Sequence, residues 1–288
     1  MKAEYRPFVP DVHFELIPIK QLVSNQDYQR GISSQHIKRT AENFDPCQIN
    51  PVKVSRRDGV NYVFNGQPTI EVVALVSGSR DTPVWCMIFD DMDYKEEADV
   101  FANQQKYVKP LAPYEIFMAN IEAENDVQLA IKSLVESYNL TISKNRAPGM
   151  ICAVSSLEFI YNKYGFHVLD RTIRLCVGTW EGEPMSLSSG ILKGIAILIV
   201  TFGEALKDDL FKDKVGTYSS REISRLARDR KAGSLGFAEA MLLKYNAKMK
   251  KRLSLAKLYS GKRRKPDDID LYEYAEDDEE YQQGELGY

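Results

Sequence analysis

At 288 residues, with 44% hydrophobic content, 27% charged content and a formal net charge of −3, the chain reads as a globular protein able to bury one large core or two modest ones. Its longest apolar run, Gly194 to Phe202, is about half the roughly 20 residues that a bilayer span needs, and Met1 to Leu16 carries charges and prolines where a signal peptide has its apolar centre, so a soluble, cytoplasmic protein without a membrane partner is expected. Cys47, Cys86, Cys152 and Cys176 form no C-x-x-C pair and His13, His36 and His167 are equally dispersed, which predicts reduced thiols and no metal site.

Val12 to Ile19 alternates well enough for a short strand, and a polar turn follows at Ser24 to Asp27. Ser33 or Ser34 can cap a helix through Phe44 that turns Ile37, Thr40, Ala41 and Phe44 to one side. Pro51 to Ser55 and Val60 to Phe64 flank Asp58-Gly59, a strong two-residue turn signal, and predict a hairpin. The second strand of that hairpin runs into Asn65-Gly66-Gln67, where a helical pattern starts at once with Pro68 in its tolerated first turn and ends at Ser77-Gly78. A glycine at such a corner lets backbone approach a ligand, and the first amides of the helix are unpaired donors suited to phosphate. Pro83 to Phe89 reads as a strand buried on both faces. Asp93 to Lys106 reads as a helix with Ala98, Val100 and Phe101 inward, and a break at Lys109-Pro110 precedes a helix that has Pro113 in its first turn and runs past Ala123.

From there the pattern is mostly helical: Asp126 to Tyr138, Met150 to Lys163, Asp170 to Cys176, Ser188 to Ala205, Ser219 to Arg230 and Ser234 to Leu258, most of them opening on Ser, Asp or Pro. The charge is unevenly spread. Asp267 to Glu285 carries ten acidic residues and no basic ones, so the rest of the chain stands at +7, and that acidic end is predicted to be disordered. Lys244 to Lys265 holds ten Lys or Arg and no acid, with Arg221, Arg225, Arg228 and Arg230 a little upstream. Met249, Leu253, Leu255 and Leu258 interrupt the cations as in an amphipathic helix, which makes Lys248, Lys250, Lys251, Arg252, Lys257, Lys262, Arg263 and Arg264 candidate DNA-binding residues. The alternative is a solvated helix face packed against the acidic tail.

Tyr28-Gln29-Arg30 after the first strand, Pro51-Val52 at the hairpin, the Asn65-Gly66-Gln67 corner, and Asn103-Gln104-Gln105-Lys106 followed by Leu111-Ala112-Pro113-Tyr114-Glu115 occur in that order. Together they resemble the boxes of the ParB N-terminal and sulfiredoxin-like superfamily over roughly residues 10 to 125, closest to ParB-like proteins of bacterial mobile elements and phages. The resemblance implies an α+β fold, a small mixed sheet with flanking helices, followed here by an all-helical region. The expected divisions are 1–112, a helical domain over 113–265 and an acidic tail over 266–288. It also implies a nucleotide or phosphate pocket on a DNA-associated protein, with Gln29, Arg30, Asn65, Gly66, Gln67, Thr69, Asn103 and Lys106 as its binding residues. In ParB proteins this fold binds cytidine triphosphate and works as a switch, so a nucleoside triphosphate with Mg is the implied ligand.

The chain departs from those relatives directly after the corner, where Pro68-Thr69 stands in place of His-Arg or Arg-Arg. An arginine there would clamp a phosphate through bidentate, charge-assisted hydrogen bonds that neither residue can supply. Sulfiredoxin chemistry is excluded because no cysteine occupies the corner. Glu71 and Glu115 are the weak candidates for a catalytic carboxylate, though each also suits a helix's first turn. The expectation is therefore a binding or regulatory protein that associates with DNA. A nuclease or nucleotide hydrolase of the same fold and a non-catalytic structural protein, with the helical half forming a homo-oligomer interface, stay open as alternatives.

Overall fold

The computed structural model describes residues 11–24, 28–29, 31–104 and 110–260. Its contacts divide the chain into two compact units, the first ending at Pro110 and the second beginning at Leu111.

The first unit is built on five strands, β1 (Val12–Pro18), β2 (Leu22–Ser24), β3 (Val52–Arg57), β4 (Val60–Asn65) and β5 (Pro83–Asp90), in the spatial order β1-β5-β3-β4-β2. The sheet is mixed: β1 with β5 and β3 with β4 are antiparallel, whereas β3 with β5 and β2 with β4 are parallel. Asp58 and Gly59 both have positive φ, 50° and 75°, as the type I′ turn of a two-residue hairpin requires. Three helices flank the sheet, α1 (Ser34–Glu42), α2 (Gln67–Ser77) and α3 (Tyr94–Gln104). The Ser33 hydroxyl accepts the His36 amide and caps α1. Gly78 closes α2 with φ of 69°, the left-handed end that glycine adopts without a steric penalty.

One face of the sheet forms a core in which Ile17, Val52, Val54, Val63, Val84, Cys86 and Ile88 meet Ile70 and Val73 of α2. On the opposite face Phe64 and Phe89 pack edge to face with centroids 5.4 Å apart, and α3 lies against β4. The expected two-sided burial of β5 is not found. Val84, Cys86 and Ile88 are buried, but Trp85 is 55% exposed, because its cross-strand neighbour is Leu16 of β1, itself 53% exposed, while α3 covers the β4 part of that face. In α3 the fully buried position is Glu97; Ala98, Val100 and Phe101, the expected inward residues, are half-buried.

The second unit contains α4 (Pro113–Glu122), α5 (Asp126–Ser137), a short parallel pair β6 (Thr141–Ile142) and β7 (Met150–Ile151), α6 (Val154–Tyr164), α7 (Phe166–Trp180), α8 (Ser189–Phe202), α9 (Asp208–Val215), α10 (Ser220–Arg230), α11 (Ser234–Tyr245) and α12 (Leu255–Ser260). The predicted apolar run is α8, buried among α7 and α11. A Cβ at Gly194 would lie 2.8 Å from both Phe237 Cβ and Met241 Cε, so the missing side chain lets α11 dock closely. Among the described residues no helix is long and apolar enough to cross a membrane.

Three helical expectations change here. Met150 and Ile151 pair with Thr141 and Ile142 as strands, so that helix starts only at Val154. The helix at Pro113 stops at Glu122, and Glu124 has φ of 56°. The predicted helix from Ser234 to Leu258 is broken: α11 ends at Tyr245 and Lys248 has φ of 59°. Asn246 supplies the reason, since its Nδ2 donates to the Leu253 carbonyl at 2.8 Å and its Oδ1 accepts the Leu253 amide at 2.9 Å, a side-chain alternative to continued helix.

Candidate functional site

The corner between β4 and α2 collects most of the described residues that the boxes single out. β4 carries a bulge where it leaves the ladder, because Val54 faces Val63 while Lys53 faces Asn65; Phe64 is the extra residue. Such bulges re-aim the chain beside a functional surface. Gly66 follows as the N-cap of α2 with φ of 102°. A Cβ there would stand 3.1 Å from Val52 Cα, so glycine is demanded both by the left-handed backbone and by packing on the Pro51-Val52 box.

The first turn of α2 begins with Gln67, whose side chain is buried, followed by Pro68 and Thr69. Ile70 already donates to the Gly66 carbonyl at 3.1 Å. Pro68 has no N–H, so the donors of that turn without an acceptor inside the helix are the amides of Gln67 and Thr69.

Around this turn Gln29 Nε2 donates to the Val63 carbonyl at 2.6 Å, and Asn65 Nδ2 donates to Gln104 Oε1. The first, second and last boxes and the corner therefore share one place. Among the described residues both side-chain amides are left with a buried atom that has no partner, Gln29 Oε1 and Gln104 Nε2, and such atoms cost free energy unless something satisfies them. Asn103, named from the sequence, instead donates to Asp99 of its own helix at 2.9 and 3.0 Å. Helical spacing marks Gln104 as the residue that shares Phe101's side of α3.

Below the corner lies a polar cluster that sequence reading did not single out. Glu97 is fully buried, with Oε1 2.7 Å from Arg57 Nη1 and Oε2 accepting the Tyr28 hydroxyl at 3.1 Å. The contact between Glu97 and Arg57 is an ion pair without an aligned hydrogen bond, since Glu97 Oε1 accepts none. Arg57 also lies 4.4 Å over the Tyr62 ring. Tyr28 packs on Tyr94 and Phe101, and burial, followed by the Glu97 charge, holds its phenol well above its ordinary pKa. The first box is thereby tied to α3 through Tyr28.

The carboxylate candidates are otherwise engaged. Glu71 holds Arg80 with both oxygens at 3.1 Å, and Glu115 accepts the Ala112 amide at 2.8 Å as a capping residue of α4. An open recess lined by Asp90, Asp91, Glu96 and Asp99, with Lys95, lies at the end of β5 and the start of α3; its charge is unsuited to phosphate. Arg30 and Lys106 lie outside the described residues.

In the second unit Lys248, Lys250, Lys251 and Arg252 are exposed on the loop that Asn246 closes, rather than on a helix. Lys257 is on the short α12, and Lys262, Arg263 and Arg264 lie outside the described residues.

A family model described as "Family of unknown function (DUF6551)" matches residues 23–257, so the chain belongs to that family. No curated protein matches it in sequence. Among solved structures, the C-terminally truncated chromosome-partitioning protein ParB from Caulobacter crescentus, complexed with CTP-gamma-S, is a loose likeness: 13% identity and a TM-score of 0.35, covering 80% of this chain and 98% of that chain.

Proposed function

We propose that this member of the DUF6551 family binds a nucleotide or another phosphate ligand at the Gly66 corner and acts at DNA as a binding or regulatory protein. The observation that carries the reading is the convergence of Gln29, Val52, Gly66 and Gln104 on one corner with two buried amide atoms unsatisfied among the described residues. A site of this kind offers one acceptor and one donor beside the first-turn amides of Gln67 and Thr69, which suits a polar ligand carrying phosphate. It lacks a nucleophile or a free carboxylate among these residues, so binding without chemistry is the economical reading. The likeness of the boxes to those of ParB proteins makes cytidine triphosphate with Mg the first ligand to test.

The test is a thermal-shift screen of the full chain with each nucleoside triphosphate, with and without Mg. A ligand at about 100 times its Kd should stabilise the fold by about 2.7 kcal/mol, and Gln29→Leu should abolish the shift. If every triphosphate at millimolar concentration leaves the melting curve in place, the corner is a structural turn and the proposal falls.

A further inference from the structure

The two edges of the five-stranded sheet in the first unit, β1 and β2, are built differently. β2 is three residues long, and so short an edge offers another chain little to pair with. β1 runs for seven residues in unbroken register with β5, from Val12 opposite Phe89 to Pro18 opposite Pro83. Among the described residues no strand lies on its other side. Nor does the strand carry a bulge, and its one proline is Pro18, at its very end.

The backbone of β1 divides by residue. Ile19 N donates to the Thr82 carbonyl at 3.1 Å, which continues the ladder one step beyond Pro18 and Pro83. Because bonded positions alternate in an antiparallel ladder, His13, Glu15 and Ile17 turn their amides and carbonyls to β5, whereas Val12, Phe14 and Leu16 turn theirs to the open edge. Side chains alternate with the same period, so Val12, Phe14 and Leu16 also share the face opposite Ile17 and the α2 core. There Phe14 and Leu16 are each 53% exposed beside the exposed Trp85. His13 and Glu15 stand on the α2 face, 2.9 Å apart, with His13 Nδ1 3.3 Å from Asp90.

We propose that this edge is the docking surface for a second copy of the same chain, whose β1 pairs with it antiparallel about a twofold axis at Phe14 and joins the two sheets into one. The chemistry of the strand selects that register. With Phe14 on the axis, Phe14 meets Phe14 and Val12 meets Leu16, and the outward amides and carbonyls form about six hydrogen bonds. His13 of each copy then faces Glu15 of the other across the closer, non-bonded pairing, so an imidazole N–H meets a carboxylate. An axis at Glu15 would set two carboxylates opposite each other and bring Pro18, which has no N–H, into a bonded position; an axis at His13 would set two imidazoles opposite each other.

An open edge accepts any extended segment through its backbone. What favours a second copy is that the patch complements itself, apolar residue against apolar residue and His13 against Glu15, as a closed twofold interface requires. The exposed rings gain cover from the same joint. Met87 stands opposite Phe14 and Trp85 opposite Leu16 on β5, so the apolar rows of the two copies continue into each other. β5 and β3 separate β1 from β4, the strand that leads to Gly66, so the joint is independent of ligand binding at the corner and the dimer carries two corners. An edge joint is smaller than a standard interface of about 1,600 Å², which places its affinity on the order of micromolar.

Sedimentation velocity of the full chain from about 1 to about 100 µM tests it, a range that brackets micromolar affinity. Wild type should pass from a 32.8 kDa monomer to a species of twice that mass. Phe14→Lys sets like charges on the axis and should weaken self-association on the order of tenfold or more, while its circular dichroism spectrum stays that of wild type. Leu16→Pro removes an N–H that β5 does not use and should act likewise; if it loses its folded spectrum, Phe14→Lys alone decides. Register is read by cross-linking in a Cys47→Ser background. Phe14→Cys should form an intermolecular disulfide under mild oxidant, since bonded partners lie about 5.5 Å apart at Cα, whereas Leu16→Cys, opposite Val12, should not. The inference is overturned if wild type stays monomeric throughout, if Phe14→Lys associates like wild type, or if Leu16→Cys cross-links as readily as Phe14→Cys.

Discussion

Arg57 of β3 and Glu97 of α3 meet at 2.7 Å with the carboxylate fully buried and the guanidinium 23% exposed. Two charges brought together in the interior hold each other in place, because removing one leaves the other without its partner in a poorly solvated site. Arg57→Ala should therefore destabilise the first unit by about 3–5 kcal/mol, and Arg57→Met combined with Glu97→Leu should recover much of that loss. A urea-denaturation double-mutant cycle checks it; equal losses for the single and the double variant would show that the pair contributes through packing alone.

A second charged pair is built on the preceding residue of β3. Arg56 holds both oxygens of Glu15 at 2.6 and 2.9 Å, and this bidentate bond is the main reason the Glu15 carboxyl is lowered to about 2. A carboxylate whose folded pKa is depressed contributes stability above its unfolded value, near 4.5 here, and loses it as pH falls toward 2. The difference in Tm between wild type and Glu15→Gln should be constant above pH 5 and shrink between pH 4.5 and 2. A difference that persists unchanged at pH 2 would contradict the assignment.

At the corner, Gly66→Ala combines a φ of 102° with a 3.1 Å approach to Val52 Cα. Strain of this kind costs on the order of 1–3 kcal/mol. The variant should melt earlier than wild type with or without nucleotide, whereas Thr69→Ala should leave the melting temperature of the free protein within a degree or so. Wild-type stability in Gly66→Ala would mean that the corner relaxes.

The Asn246 clamp makes a proteolysis prediction. Losing both hydrogen bonds to Leu253 should cost about 1–2 kcal/mol of local stability, so Asn246→Ala should be nicked by trypsin between Lys248 and Arg252 on the order of ten times faster. Unchanged cleavage would show that Leu253, Leu255 and Leu258, which pack on the core, hold the loop by themselves.

Thiol titration tests the burial pattern. Cys47 is exposed, whereas Cys86 and Cys176 are buried, and burial raises their thiols to about 11 and about 12. In native protein at pH 8, Cys47 should react with a chromogenic disulfide within minutes and Cys86 and Cys176 only after denaturation. Rapid modification of Cys86 would place the sheet's core in contact with solvent.

Much of the first unit was legible because its signals are local. Asp58-Gly59 specified the hairpin turn, Ser33 the cap of α1, and Gly66 with Gly78 both ends of α2. The candidate corner was legible in its order of boxes but not in its wiring: Asn103 looked like the ligand residue and Gln104 takes the place facing Asn65. Glu97 escaped notice since a carboxylate in a helix normally faces water, and only Arg57 and Tyr28, distant in sequence, explain its burial.

In the second unit the amphipathic reading of the basic stretch failed for a similar reason. Propensity and leucine spacing favour one helix through Leu258, and the two bonds from Asn246 to Leu253 outweigh them. The local signals of the chain fixed the hairpin, the position of the glycine corner and the asymmetry of charge, because turn chemistry, caps and composition act over a few residues, but not β2 at Leu22–Ser24, whose three residues are a strand through parallel pairing with β4. Tertiary contacts alone settled which face of β5 meets solvent, which amides meet at the corner, and that the basic stretch leaves the helix at Asn246. Those outcomes depend on partners several to tens of residues away, whose approach no local periodicity records.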